Sequence, residues 1–141
     1  MGAAVILCGK TEQIGKGVVA LLQPEFNVIQ FVMTPESGKA QIPAIFRGET
    51  PPSSDSELGT KDYSQKPVAV LLGAGYDDEG TKVMMEASKG IHPIPWLRPD
   101  MTKAAPPPGP EYGKALVQRI KELVAELEKE GKMHEEKIYW Y

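Results

Sequence analysis

The stretch that most constrains this chain lies at residues 3–22. An unbroken apolar run, AAVILC, is closed by Gly9 and followed by Ile14, Val18, Leu21 and Leu22 at helical spacing. A strand with no polar alternation is buried on both faces, which is the position of a strand in a parallel sheet covered by helices. The next apolar run, FNVIQFVMT at 26–34, is bounded by the turn signal PESG and reads as a second strand. Strand, helix and strand in this order imply a right-handed crossover and a parallel pair.

The remaining segments repeat that alternation. KAQIPAIFR (39–47) allows only a short helix, because Pro43 lacks a backbone donor. Residues 48–66, GETPPSSDSELGTKDYSQK, read as a long polar surface loop, simplest as a disordered connection and alternatively as a lid. PVAVLLGAG (67–75) is a third buried strand and DDEGTKVMMEASKG (77–90) a helix ending at a glycine. IHPIPWL (91–97) is a short fourth strand limited by its prolines, and the run 104–110, AAPPPGP, is an extended spacer. The last helix carries Leu116, Ile120, Leu123 and Leu127 on one face and Lys and Glu on the other. The fold expected is therefore α/β: a small, doubly wound, mostly parallel sheet of about four strands in the order 3-2-1-4, a Rossmann-like half-fold with a long C-terminal helix. It spans residues 1–132 as one domain, and an aromatic tail at 133–141 should dock on its own domain or on a second subunit, a homodimer being expected.

Composition narrows the function classes. A formal charge of -3 with scattered Lys and Arg offers no basic face, so nucleic acid is not an expected partner. Cys8 is the single cysteine and no Cys/His cluster is present, so neither an internal disulfide nor a zinc site is expected, and a reducing, cytoplasmic setting fits. The first apolar run lacks a basic flank and is too short for a signal peptide or a membrane span. Met1-Gly2 is not followed by Ser or Thr at the sixth position, as myristoylation would need.

The turn GKTEQIG at 9–15 resembles the GATGxIG turn of NmrA-like and other short-chain dehydrogenase relatives. Gly9, Thr11, Ile14 and Gly15 match, and Glu12 replaces the middle glycine. That glycine lets the backbone approach a pyrophosphate, whereas a carboxylate repels one by roughly 1 kcal/mol or more. The Tyr-x-x-x-Lys pair of those enzymes is absent, since Tyr63 with Lys66 and Tyr112 with Lys114 have other spacings. The resemblance thus implies fold ancestry, with Gly9 and Gly15 as cofactor-binding positions only if NADP or another dinucleotide binds.

GKTEQIG, GAGYDDEG (73–80) and PWLRPD (95–100) also resemble small fungal proteins that accompany polyketide pathways, including cyclases that close α-pyrone rings. With the order 3-2-1-4 the crevice lies between strands one and four, setting Lys10, Thr11 and Glu12 opposite Trp96, Arg98 and Asp100, with Tyr76 and Asp77 reaching in. The functional reading makes Arg98 an oxyanion holder, Asp100 or Glu12 the base, and Lys10, Thr11, Tyr76, Asp77 and Trp96 substrate-binding residues. The competing structural reading is an Arg98–Asp100 pair that locks the turn, with Trp96 in the core and Asp77 and Asp78 capping a helix. Three functions follow: a cofactor-independent enzyme performing proton transfer, such as cyclisation, lactonisation or isomerisation of a carbonyl-rich metabolite; an NADP-dependent reductase; and a CoA- or nucleotide-binding sensor.

Overall fold

A computed structural model describes residues 2–107 and 109–141. Met1 of the Met1-Gly2 pair and Pro108 of the 104–110 spacer lie outside the described residues. The elements are β1 (Ala3–Cys8), α1 (Glu12–Leu22), β2 (Phe26–Val32), α2 (Pro35–Phe46), β3 (Ala69–Leu72), α3 (Asp78–Ala87), β4 (Trp96–Arg98), α4 (Pro110–Lys129) and β5 (Ile138–Trp140). They form an α/β fold with a five-stranded, wholly parallel sheet.

The strand order is β2-β1-β3-β4-β5, which corrects the expected 3-2-1-4: β3 joins β1 rather than extending beyond β2. The register runs Val5 to Ala69 and Leu7 to Leu71 between β1 and β3, and Val70 to Trp96 between β3 and β4. The reversal has a simple cause. The connection from β2 to β3 must pass β1, and a right-handed crossover that changes direction places its helix on the opposite face of the sheet. Accordingly α2 and α3 pack on one face, where Ile6, Val32, Ile42, Phe46, Val70, Met84 and Trp96 form one core. On the other face α1 and α4 pack over Val5, Leu7, Phe31, Leu71 and Leu97, with Val117, Ile120, Val124 and Leu127 contributed by α4.

Two local readings change with it. The turn signal PESG begins α2 instead of ending a strand: Thr34 caps the helix by accepting the Ser37 N–H at 3.0 Å and Pro35 takes the first helical position, where its missing donor costs nothing. The helix runs through Pro43, which is buried inside it, so α2 is longer than the short helix expected at 39–47. Residues 48–66 pack onto the domain as a strap. The Thr60 and Lys61 amides donate to the Val28 and Ile29 carbonyls at 2.9 and 3.0 Å, so this strap covers the outer edge of β2 and satisfies groups that an open edge would expose. Gly59, at φ +94°, passes so close to the backbone of Ile29 and Gln30 that a Cβ would lie 3.1 Å from it.

The tail supplies β5, which pairs in parallel with β4. Tyr141 is buried and its hydroxyl donates to the Leu72 carbonyl at 2.6 Å. Of the two docking modes expected for the tail, the structure shows docking on its own domain. No helix among the described residues is long and apolar enough to cross a membrane.

Candidate functional site

In a doubly wound sheet with this order, the loops after β1 and β3 leave in opposite directions and open a crevice at the carboxyl ends of those strands. A cleft of about 220 Å³ lies there. Its floor is Leu7, Cys8 and Gly9 from β1 and Gly73, Ala74 and Gly75 after β3. One wall is Ile14, Gly15 and Val18 of α1 with Phe31 behind them, and the other is Tyr112, Leu116 and Ile120 of α4 with Tyr141. Lys10 and Thr11 bring side-chain polarity to an otherwise largely apolar lining.

Glycines set the shape of the turn. A Cβ on Gly15 would lie 2.5 Å from the Phe31 ring, so only glycine lets α1 sit this close to β2. This is the close-packing task of a third turn glycine. A Cβ on Gly75 would lie 2.5 Å from Lys10 Cγ, so its absence gives the lysine stem a track across the β3 loop. Along that track Lys10 Nζ comes to 4.4 Å from the centroid of the Tyr76 ring, within cation–π range. Tyr76 is buried, and its hydroxyl lies 2.9 Å from the Val32 carbonyl and 3.1 Å from that of Gly9, tying together the loops around the cleft. Burial pushes the Tyr76 phenol far above its ordinary range and does the same to Tyr141. Burial also raises the Cys8 thiol, against a smaller opposing pull from Lys10. All three remain neutral groups, and none is a ready base or nucleophile.

Of the residues singled out in the sequence, Gly9, Lys10, Thr11 and Gly15 line the cleft. Thr11 also caps α1 by accepting the Ile14 N–H at 3.4 Å. Tyr76 stands behind Lys10 rather than on the lining. The remaining residues are drawn elsewhere. Because β3 intervenes between β1 and β4, Glu12 does not face PWLRPD; its carboxylate accepts the Ser56 hydroxyl at 2.6 Å and anchors the strap. Asp77 caps α3, accepting the Gly80 N–H at 2.7 Å.

Arg98 is buried. It donates to Asp78 at 2.6 Å and to the Tyr76 carbonyl at 2.9 Å, with the Trp140 ring 4.7 Å from its guanidinium carbon. Asp100 is not its partner. That carboxylate accepts the Thr102 hydroxyl at 2.6 Å and the Thr102 N–H at 3.0 Å, and these bonds hold it below the usual carboxylate range. Trp96 is buried in the core edge-on to Phe46, at 6.3 Å between centroids. Arg98, Asp100 and Glu12 are therefore separate features, each engaged outside the cleft.

The α4 wall is the part that sequence reasoning missed. One signal was Ile14, placed on the apolar face of the first helix and 68% exposed at the cleft. A second was that the apolar stripe of the last helix begins as early as Tyr112 and Leu116, both of which line the cleft. Among the described residues no group of three or more His, Cys, Asp or Glu could hold a metal ion.

No family model matches the chain, and no solved structure matches it. The α/β class that the likeness of residues 9–15 to NmrA-like turns implies is the class of this sheet. Among curated proteins, Kojic acid related protein 6 of Aspergillus oryzae is 34% identical over 143 residues, a match that takes in 99% of this chain and 86% of that protein. With identity at that level over nearly its whole length, the chain belongs to the family of Kojic acid related protein 6.

Proposed function

We propose that this protein is a small-molecule enzyme of fungal secondary metabolism that binds a flat, carbonyl-rich metabolite in the cleft between β1 and β3. There it moves a proton during a cyclisation, lactonisation or isomerisation. The observation that carries the reading is the cleft, which is apolar, bounded by Phe31, Tyr112 and Tyr141, and set at the switch point of the sheet. The relative's name refers to kojic acid, a small oxygen heterocycle whose shape suits such a slot. Apolar walls exclude water and strengthen the few polar contacts a bound carbonyl compound makes. Lys10, Thr11 and Tyr112 are the groups available to it, and Arg98, Asp100 and Glu12 serve the scaffold around it.

The alternative, a dinucleotide-dependent reductase or a CoA- or nucleotide-binding sensor, has Gly9 and Gly15 on the cleft lining in its favour. Against it stands Glu12 in the first turn of α1, where a phosphate would meet a negative charge. Calorimetric titration separates the two. A hydroxypyranone such as triacetic acid lactone should bind with a dissociation constant of about a millimolar or tighter, NADPH and CoA should not bind, and Val18→Trp, which fills the slot from a half-buried position, should abolish the pyranone signal. Tight NADPH binding would instead establish the alternative.

A further inference from the structure

The charge layout of the cleft rim says which kind of ligand it takes. This step rests on the cleft being the binding site, as proposed above. Lys10 is the one charged side chain among the residues that line the cleft, and no ion pair among the described residues includes it. Its position is built: the missing Cβ of Gly75 clears its path and the Tyr76 ring supports its ammonium. Tyr76 is in turn fixed through the Gly9 and Val32 carbonyls. The acids nearest the cleft are engaged elsewhere, Glu12 on Ser56, Asp55 on the Met33 amide and the Ser37 hydroxyl, Asp77 on the Gly80 amide and Asp78 on Arg98. The result is a cation held at an apolar slot with no anion of its own.

From this we infer that the cleft binds its ligand as a flat monoanion, an enolate or other vinylogous carboxylate, with the negative oxygen on Lys10 and the ring between α1 and α4. A face of an aromatic ring stabilises an ammonium without neutralising it, so the charge stays available to an incoming anion, and a charge-assisted hydrogen bond in a dry slot is the stronger kind. The ligand carries a single, spread charge. A phosphate or diphosphate would present two or more charges to one lysine, beside the Glu12 carboxylate in the first turn of α1. Lys10 thereby discriminates an ionised enol from its neutral ether, and its single charge disfavours phosphorylated compounds of similar size.

The test uses the full chain and two probes with the same ring: triacetic acid lactone, whose enol ionises below neutral pH, and its O-methyl ether, which cannot ionise. In wild-type protein the acid should bind about tenfold or more tighter than the ether, the ratio expected of a hydrogen bond to a charged group. Lys10→Met should bring the ratio to about one, and Lys10→Arg should keep the preference. Lys10 is exposed, so its replacement leaves the fold intact. Equal binding of acid and ether to wild type, with both lost in Val18→Trp, overturns the charge assignment and leaves the cleft standing. Binding of neither probe, or binding of both that Val18→Trp does not affect, overturns the cleft reading and the inference with it. Inorganic phosphate that competes with the acid overturns the claim against phosphorylated ligands.

Discussion

Deletion of residues 138–141 is expected to abolish cooperative folding rather than to release a monomer from an oligomer. The segment is short, but it closes the sheet. It contributes β5, and Tyr141 is buried with its hydroxyl on the Leu72 carbonyl, its N–H on the Arg98 carbonyl at 2.8 Å and its own carbonyl under the Asp100 N–H at 2.7 Å. Removing one buried aromatic side chain costs about 3–5 kcal/mol, and whole domains are stable by only about 5–15 kcal/mol. Because Tyr141 also lines the cleft, its loss strips one wall of the site. Urea unfolding followed by near-ultraviolet circular dichroism, with mass from light scattering, measures both effects. A sharp transition at the wild-type midpoint together with a halved mass would show that the tail is a subunit interface.

The second large effect is expected at PWLRPD. Trp96→Ala should lower stability by about 3–5 kcal/mol, the range for deleting a fully buried aromatic, since it opens a cavity beside Phe46. Asp100→Asn, by contrast, should leave both the unfolding midpoint and pyranone binding unchanged, because its carboxylate serves only the Thr102 turn. The contrast separates a buried core residue from a surface turn within six residues. An Asp100→Asn protein that folds normally but has lost turnover would return Asp100 to the catalytic role that its position after the fourth strand first suggests.

These residues also show what the sequence could and could not reveal. The β1–α1–β2 unit was legible because a continuous apolar run, a glycine turn and helical spacing have one common solution, and the α/β class follows from their repetition. Strand order was not legible. Periodicity says which residues are buried, and it does not say on which side of β1 the third strand adds. That choice follows from the face on which α2 packs, so the crevice was placed between the wrong strands and Glu12 was set opposite Arg98. The start of α2 was hidden because Pro35 serves equally well in a turn and at the first helical position. Three-residue β5 carries too short a pattern to read as a strand. In the site, Gly9, Lys10, Thr11 and Gly15 were visible because turn chemistry is local. Tyr112, Leu116, Ile120 and Tyr141 were not, because their place on the cleft depends on the docking of a helix and a tail far along the chain.

The central claim is that ligand enters the switch-point cleft, and amide proton–nitrogen correlation spectra recorded during titration with triacetic acid lactone test it most directly. Saturable shifts are expected at Gly9, Lys10, Thr11, Gly73, Gly75 and Tyr112, with Trp96–Asp100 and the 54–61 strap unmoved. Shifts centred on Trp96–Asp100 or on the strap, with the amides of the cleft unchanged, would contradict the account.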